Sequence, residues 1–144
     1  MKKIFTVLAL VIMLSSCSEY QKALKGDDIA KKYQVAEVQY EKGNYQKAIR
    51  LFDEIASVYR GKPQAQKLFY MYAQSLYKTG EFYSASYQFE SFATQYPDSE
   101  KFEEASFLGA ESYSKLSPRY SLDQEYTYTE KEKLQKFINN YPQS

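Results

Sequence analysis

The sequence has no histidine and no tryptophan, and its 144 residues include a single cysteine. The missing histidine excludes imidazole acid–base catalysis and nucleophilic sites that pair cysteine with histidine. One cysteine cannot form an intramolecular disulfide, and a metal site built from several thiolates is excluded as well. Glycine is also scarce, and the five glycines do not form a phosphate-binding loop. These absences predict a protein that is not an enzyme and needs no cofactor or metal ion.

A strong charge of either sign is missing as well, because 19 basic residues balance 18 acidic ones. Nucleic-acid binding depends on an excess of basic side chains that neutralise phosphates, so nucleic acid is not an expected partner. Glu103 and Glu104 are adjacent carboxylates, but neighbours on a helix point in different directions. They are therefore expected on a solvated face and not in a catalytic pair.

Only one long apolar run occurs, at residues 4–14, and its 11 residues are fewer than the roughly 20 that a membrane-spanning helix needs. Two lysines precede the run and two serines follow it, which is typical of a signal peptide covering residues 1–16. The residues Leu14, Ser15, Ser16 and Cys17 resemble the lipobox of bacterial lipoproteins, which are cut before the cysteine. The alternative is an ordinary signal peptide cut elsewhere, with Cys17 left as a free thiol.

The lipobox resemblance implies that acyl chains on Cys17 hold the protein on a membrane without spanning it, since two or more chains anchor a protein stably. Residues 17–28 are polar and are predicted to form a short tether, which reaches at most roughly 40 Å when fully stretched. Removal of residues 1–16 takes away two lysines and leaves one more acidic than basic residue.

The remaining chain repeats itself at a step of 37 residues. The aligned sets are Tyr33, Tyr70 and Phe107; Ala36, Ala73 and Ala110; Gly43 and Gly80; Ala48 and Ala85; Phe52 and Phe89; and Tyr59 and Tyr96. A period of this length is typical of repeats that each consist of one helix pair.

Each repeat predicts two helices joined by a glycine turn. In the first repeat, Asp27 or Asp28 can cap a helix that Gly43 ends, and Asn44 can cap the next helix. The predicted apolar stripes are Ile29, Tyr33, Ala36 and Tyr40 on the first helix, and Tyr45, Ala48, Ile49, Phe52, Ile55, Ala56 and Tyr59 on the second. The second repeat follows the same plan around Gly80. The aligned alanines mark positions where helices are expected to approach closely.

The third repeat departs from this plan. Ser99 is a candidate cap, and a first helix is predicted through Phe102 and Leu116. A longer loop at residues 117–128 then replaces the glycine turn. Thr129 and Glu132 have the spacing of a capping box, and the apolar stripe of the following helix is predicted to contain Leu134, Phe137, Ile138 and Tyr141. The chain is expected to be truncated at its carboxyl end, because its last residues parallel those that open the third repeat.

The turn sequence Gly-x-aromatic-x-x-Ala, with a small residue in the preceding helix and a terminal proline, resembles the tetratricopeptide repeat. Two features depart from it: the step exceeds the usual length of about 34 residues, and Arg60 stands where the second repeat has Pro97. The predicted fold is all-α, a tetratricopeptide-type helix-pair solenoid of about three repeats. One domain at residues 29–144 would contain the repeats at 29–62, 64–97 and 100–142.

In the tetratricopeptide family the first helix of each pair lines a concave groove. The resemblance places eight residues on a peptide-binding or partner-binding groove: Tyr33, Glu37, Tyr40, Tyr70, Gln74, Tyr77, Phe107 and Glu111. Tyrosine suits recognition because it offers a large area and a hydroxyl at low entropic cost, and the chain has 16 tyrosines. The alternative is that these tyrosines complete the core, and for Tyr40 and Tyr77 both interpretations stay open.

The lipobox, the widened repeats ending in Tyr-Pro-x-Ser, and the Ser-Pro-Arg-Tyr insertion at residues 117–120 together resemble the BamD family, in the form found in Bacteroidetes-like bacteria. This resemblance implies a lipid-anchored scaffold on the periplasmic face of the outer membrane, in the assembly complex for outer-membrane β-barrel proteins. The implied partners are the barrel-forming assembly subunit, other lipoproteins of the complex and unfolded outer-membrane proteins.

The insertion is predicted to be a partner-contact loop that includes Arg119, Tyr120 and Tyr126, since long loops in compact repeats are usually functional. A family-specific spacer is the alternative. Two other functions remain open for the chain: another periplasmic tetratricopeptide scaffold, such as one serving envelope constriction, and a glycan-binding outer-membrane lipoprotein. The missing tryptophan disfavours the glycan-binding function.

Overall fold

The computed structural model describes residues 19–116 and 124–142, and within these ranges every regular element is a helix. The helices are α1 at residues 19–25, α2 Ile29–Glu41, α3 Tyr45–Tyr59, α4 Ala65–Lys78, α5 Phe82–Gln95, α6 Phe102–Leu116 and α7 Gln124–Asn140. The predicted fold class, all-α with tetratricopeptide-type helix pairs, is confirmed. No described helix has the length and apolar character required to cross a membrane. The chain divides into two compact units, with the boundary after Ile55.

The two glycine turns have the same geometry, as the repeat predicts. Gly43 ends α2 at a φ of +74°, and Gly80 follows α4 at a φ of +82°. The next residue after each glycine donates its backbone N–H five residues back, from Asn44 to Gln39 and from Glu81 to Leu76, at 2.9 Å in both cases. Glycine is suited to this position because it has no Cβ to oppose a positive φ.

The start of α2 confirms one of the predicted caps. The Asp28 carboxylate accepts a hydrogen bond from the Lys31 backbone N–H at 3.0 Å, which satisfies a donor that the helix itself leaves unpaired. Asn44 precedes α3, and its backbone carbonyl accepts from the Ala48 N–H at 3.1 Å. Its side-chain amide donates instead to the side-chain oxygen Oε1 of Gln39 across the turn, at 3.0 Å.

In the first unit Ala36 is the fully buried member of the predicted stripe of α2. Ile29, Tyr33 and Tyr40 are half-buried, and the other buried residues of the helix are Lys32, Val35 and Gln39. A pattern built on apolar residues misses Lys32 because a lysine can bury its hydrocarbon stem and keep its ammonium group on a partner. Here that partner is Glu54 on α3, which forms an ion pair with Lys32.

Helix α1 lies inside the segment that the sequence assigns to the tether. Tyr20 and Ala23 are buried, at 4% and 3% exposure. The Lys47 ammonium lies 5.3 Å from the centre of the Tyr20 ring, and Lys31 forms an ion pair with Glu19 at 2.9 Å. Residues 19–25 are therefore part of the first unit, and the maximum reach calculated for a fully stretched tether does not apply to them.

In the second unit α4 packs on α5, α5 on α6, and α6 on α7. Its core contains Leu68, Phe69, Met71, Ala73, Leu76, Ala85, Phe89, Phe92, Ala105 and Ala110. Gly109 brings α6 close to α5, because a Cβ at this glycine would lie 3.3 Å from the Cβ of Phe89. Ser112 is also fully buried on α6, and its hydroxyl donates to the Leu108 carbonyl at 2.6 Å. Small residues thus allow the helix contacts of this unit.

Helix α7 differs from its prediction at two points. It begins at Gln124, so the loop cannot extend to residue 128, and Thr129 lies inside the helix and not in a capping box. The helix can begin early because the last proline of the insertion is at residue 118 and no glycine follows it. Ile138 is 56% exposed and lies off the buried stripe, whereas Leu134, Phe137 and Tyr141 are half-buried as the pattern predicts.

Candidate partner-binding surface

The described structure places the eight predicted groove residues on α2, α4 and α6, the first helix of each pair. In the first unit, Tyr33, Glu37 and Tyr40 are all half-buried and follow one another at helical spacing along α2. The Tyr40 ring contacts the Tyr45 ring edge to face, with centroids 5.8 Å apart. Tyr40 therefore supports the turn between α2 and α3 while part of its surface stays accessible.

Tyr70, in the second unit, belongs both to the core and to the surface. Its ring packs against Phe92 and Phe89, with centroids 5.6 and 6.4 Å away. Its hydroxyl accepts a hydrogen bond from the Gln74 side-chain amide at 2.9 Å. The Lys101 ammonium lies 5.3 Å from the ring centre, a distance at which a cation is attracted to the π face. The ring is fixed by packing, and its polar edge is held at the surface.

Tyr77, two turns further along α4, has the same dual environment. Its ring contacts Phe82 and Phe89, at 5.7 and 6.5 Å between centroids, and its hydroxyl donates to a Glu111 carboxylate oxygen at 2.8 Å. Burial, followed by the hydrogen bond to Glu111, raises the pKa of Tyr77 above its usual value. Lys115 completes the group through an ion pair with Glu111 at 3.3 Å. The hydroxyl proton is thus directed toward α6.

A second polar bridge joins α4 to the start of α6. The Gln74 amide donates to Glu104 at 3.3 Å, and Lys101 forms an ion pair with the same carboxylate at 2.8 Å. The hydrogen bond from Lys101, followed by that from Tyr70, lowers the pKa of Glu104. Glu104 is therefore favoured in its ionised form, in which it accepts the hydrogen bond from the Gln74 amide. The same amide orients the Tyr70 hydroxyl.

We call this surface of the second unit the α4–α6 face; its residues are Tyr70, Gln74, Tyr77, Lys101, Glu104, Glu111 and Lys115. Two lysines balance two glutamates on it, so its attraction for a partner would come from aromatic area and hydrogen bonds and not from net charge. The sequence interpretation named Tyr70, Gln74, Tyr77 and Glu111 but missed the other three. Glu104 could have been found, because it precedes Glu111 by two helical turns and shares its face.

Phe107 belongs to a different contact. Its side chain is 44% exposed, and its ring lies 5.5 Å from the Phe137 ring of α7. Phe107 therefore offers an accessible aromatic surface, and its ring contact links α6 to α7 and not to the tyrosines of α4.

Several predicted site residues lie outside the described residues. These are Cys17, Arg119 and Tyr120. Tyr126 falls within helix α7 and not in a loop, which corrects its predicted setting. The prediction placed it in a loop because the capping-box pattern at residue 129 suggested a later helix start.

A family model described as YfiO, outer membrane lipoprotein, matches residues 26–144. A search of curated proteins finds no match. The matched residues include all three helix pairs and the segment between α6 and α7, which carry two of the three features on which the resemblance to the BamD family was based. The third feature, the lipobox at residues 14–17, lies outside the match. Because the match covers most of the chain, the protein belongs to the YfiO family, the BamD-type outer membrane lipoproteins.

Proposed function

We propose that this outer membrane lipoprotein is an adaptor of the assembly complex for outer-membrane β-barrel proteins. In this proposal acyl chains on Cys17 hold it on the periplasmic face, and it binds the barrel-forming subunit and other lipoproteins of the complex. The family match supports an outer membrane lipoprotein associated with protein assembly. The lipobox sequence at residues 14–17 supports the anchor.

The α4–α6 face would receive an unfolded outer-membrane protein as an extended segment. The observation that carries this proposal is the fixed position of two tyrosines: Tyr77 donates to Glu111 at 2.8 Å, and Tyr70 accepts from Gln74 at 2.9 Å. Rigid aromatic anchors beside satisfied polar groups suit the alternating apolar and polar side chains of a β-strand, because little side-chain entropy is lost on binding. Phe107, in the same unit, would add a further contact. The face of α2 that carries Tyr33, Glu37 and Tyr40 would be a separate contact surface of the first unit.

A test must separate recognition from folding, since both tyrosine rings also pack in the core. The double change Tyr70→Phe and Tyr77→Phe keeps the rings and removes only the hydroxyls. We expect it to weaken binding of a fluorescent, urea-denatured outer-membrane barrel protein by about threefold to tenfold, as loss of two surface hydrogen bonds would. Fluorescence anisotropy measures the affinity, and circular dichroism checks that the helices are intact.

Tyr72→Phe is the matched control, because Tyr72 lies on the same helix but two residues from Tyr70 and hence on another face. We expect it to bind as the unmodified protein does. Unchanged affinity in the double variant, or an equal loss in the control, would remove the α4–α6 face from the proposal without affecting the anchor.

The insertion between α6 and α7 would contact another subunit of the complex. Residues 117–123 are the part of it outside the two helices, because α6 ends at Leu116 and α7 begins at Gln124. Replacing these residues with a glycine-serine linker of equal length is expected to reduce co-purification of at least one complex subunit from solubilised membranes. Retention of every subunit would identify the insertion as a spacer.

A further inference from the structure

A cleft of about 620 Å³ lies between α5 and α7, and α6 forms its floor. It is partly open to solvent. Glu90 of α5 and Lys133 of α7 form an ion pair at one end, and Pro97 and Tyr141 line the other end. The cleft uses the second helices of two pairs, whereas the α4–α6 face uses the first helices, so the two surfaces are distinct.

One wall of the cleft is aromatic. Phe102 of α6 lies 6.2 Å from Tyr141, and Phe137 of α7 lies 5.0 Å from the same ring, measured between centroids. All three rings are only half-buried. Ala93 and Pro97 line the cleft as well, and neither side chain is large enough to fill it. The space therefore fits one large apolar side chain from another molecule, which would bury the exposed ring surfaces.

The rim of the cleft carries an excess of positive charge. Lys133 is held by Glu90, and its ammonium lies 4.1 Å above the Tyr113 ring. Burial, and then the nearby charge of Lys136, lower the pKa of Lys133. Lys136 also lines the cleft, and no ion pair joins it to a carboxylate in the described residues. One carboxylate thus opposes two ammonium groups, and a second carboxylate would complete the balance.

The α5 side of the cleft continues into an exposed aromatic strip. Tyr83 and Tyr87 are 67% and 63% exposed, and they precede Glu90 and Thr94 at helical spacing on the same side of α5. From residue 83 to residue 94 the helix rises roughly 17 Å, at about 1.5 Å per residue, which is the length of about five residues of extended chain. A small ligand would fill only the cleft, whereas a peptide would also cover the two tyrosines.

We propose that the cleft between α5 and α7 binds an extended segment of a partner protein in which a large apolar side chain is flanked by carboxylates. The apolar side chain enters the space beside Phe102, Phe137 and Tyr141. The carboxylates lie against Lys133 and Lys136, and the rest of the segment follows α5 past Tyr87 and Tyr83. This interaction is separate from client binding on the α4–α6 face and does not depend on it.

The test uses the full chain and a short fluorescein-labelled peptide in which two aspartates flank a phenylalanine in a glycine-serine background. Fluorescence anisotropy should show saturable binding. Lys136→Glu reverses an exposed charge at the rim and is expected to weaken binding by about fivefold or more. Thr94→Phe should have an effect of similar size, since Thr94 is exposed, lines the cleft and bonds only its own helix at the Glu90 carbonyl.

Lys131→Glu is the matched control, because Lys131 is an exposed lysine of the same helix that does not line the cleft. We expect it to bind as the unmodified protein does. Peptides with asparagine in place of aspartate, or serine in place of phenylalanine, should bind at least fivefold more weakly. Circular dichroism checks that each variant is folded. If Thr94→Phe does not fold, the affinity of Lys136→Glu alone tests the proposal.

The proposal is overturned by equal affinity of Lys136→Glu and the unmodified protein, or by an equal loss in Lys131→Glu. Equal binding of the asparagine peptide also overturns it. Binding to phosphatidylglycerol vesicles without peptide binding would assign the rim to a lipid surface. Self-association that Lys136→Glu abolishes, again without peptide binding, would assign it to a second copy of the chain.

Discussion

The first and second helix pairs share a repeat and a turn, yet they bury different side chains at equivalent positions. On α2, Lys32 and Gln39 are 7% and 3% exposed. One repeat later on α4, Phe69 and Leu76 are 5% and 2% exposed. The backbone therefore places these positions in the interior in both pairs, and the sequence fills them with polar groups in one pair and apolar groups in the other.

The buried polar side chains of the first pair have specific partners. Lys32 forms its ion pair with Glu54, and Gln39 accepts a hydrogen bond from the Asn44 amide at 3.0 Å. Buried polar pairs contribute little net stability compared with apolar packing, but they are costly to leave half-paired. The comparison shows that the repeat constrains turn geometry and side-chain volume more strictly than it constrains polarity.

The largest expected effect comes from placing the buried lysine of the first pair at the equivalent apolar position of the second pair. Phe69→Lys would bury an ammonium group without a partner and lose aromatic packing, so we expect it to reduce the free energy of unfolding by about 4 kcal/mol or more. Adding Ser91→Glu, at the position equivalent to Glu54, should restore about 1 kcal/mol. Urea denaturation measures both. Ser91→Glu alone is the control, and an identical gain in that variant would contradict the equivalence of the two ion pairs.

A smaller effect is expected where the two pairs are alike. Ala36 and Ala73 are both fully buried at aligned positions. Changing either alanine to leucine should overpack a helix contact and reduce stability by about 1 to 3 kcal/mol. Ala30→Leu on the exposed side of α2 should change stability by less than about 0.5 kcal/mol. Thermal unfolding followed by circular dichroism compares the three, and tolerance of leucine at only one buried alanine would show that the pairs differ in packing as well as polarity.

The first pair should tolerate apolar replacement of its buried lysine better than loss of the partner carboxylate. Lys32→Met keeps most of the side-chain volume, so we expect a change of less than about 1 kcal/mol in either direction. Glu54→Ala leaves the Lys32 ammonium without its partner and should cost about 1 to 2 kcal/mol, since Glu54 is partly exposed. The opposite order in urea denaturation would mean that the ion pair itself stabilises the fold.

The smallest expected effect concerns the hydroxyl of Tyr77. The pKa of Tyr77 is raised in the folded protein, so folding favours the neutral hydroxyl. The stability that this contributes is fully present at pH values below the pKa of an unfolded tyrosine. It is lost as the pH rises through the pKa of Tyr77 in the folded protein. Glu111→Gln should bring the pKa of Tyr77 closer to normal. Site-specific ring labelling and NMR titration can follow it. Glu103→Gln, on the same helix, should leave the pKa in place.

The positions of the turns were predictable from the sequence because they depend on local chemistry. Gly43 and Gly80 adopt positive φ as expected, and Ala36, Ala48, Ala73 and Ala85 are all fully buried. Local rules are sufficient here, since a positive φ favours glycine and a close contact between helices requires a small side chain. The resemblance to the tetratricopeptide repeat assigned Tyr70, Gln74, Tyr77 and Glu111 to the first helices of their pairs, and the structure has them on α4 and α6.

Features that depend on distant partners were not predictable. Lys32 is buried only because α3 brings Glu54 to it, and no pattern within α2 contains that information. Lys101 joins the α4–α6 face only because α4 brings the Tyr70 ring close to it. The start of α7 was misplaced for a different reason: a capping-box pattern occurs by chance inside a helix, and the backbone has no need of it there.

The burial of Tyr20 has a mechanical consequence for the proposed anchor. The chain is already helical at residue 19, so with the anchor at Cys17 that we propose, only one residue of the sequence separates the lipid-bearing position from the described helix. A connection this short transmits tilt and restricts rotation, whereas a long flexible linker absorbs both. The first unit would therefore face the membrane within a narrow range of orientations, which raises its effective concentration toward partners in the same membrane.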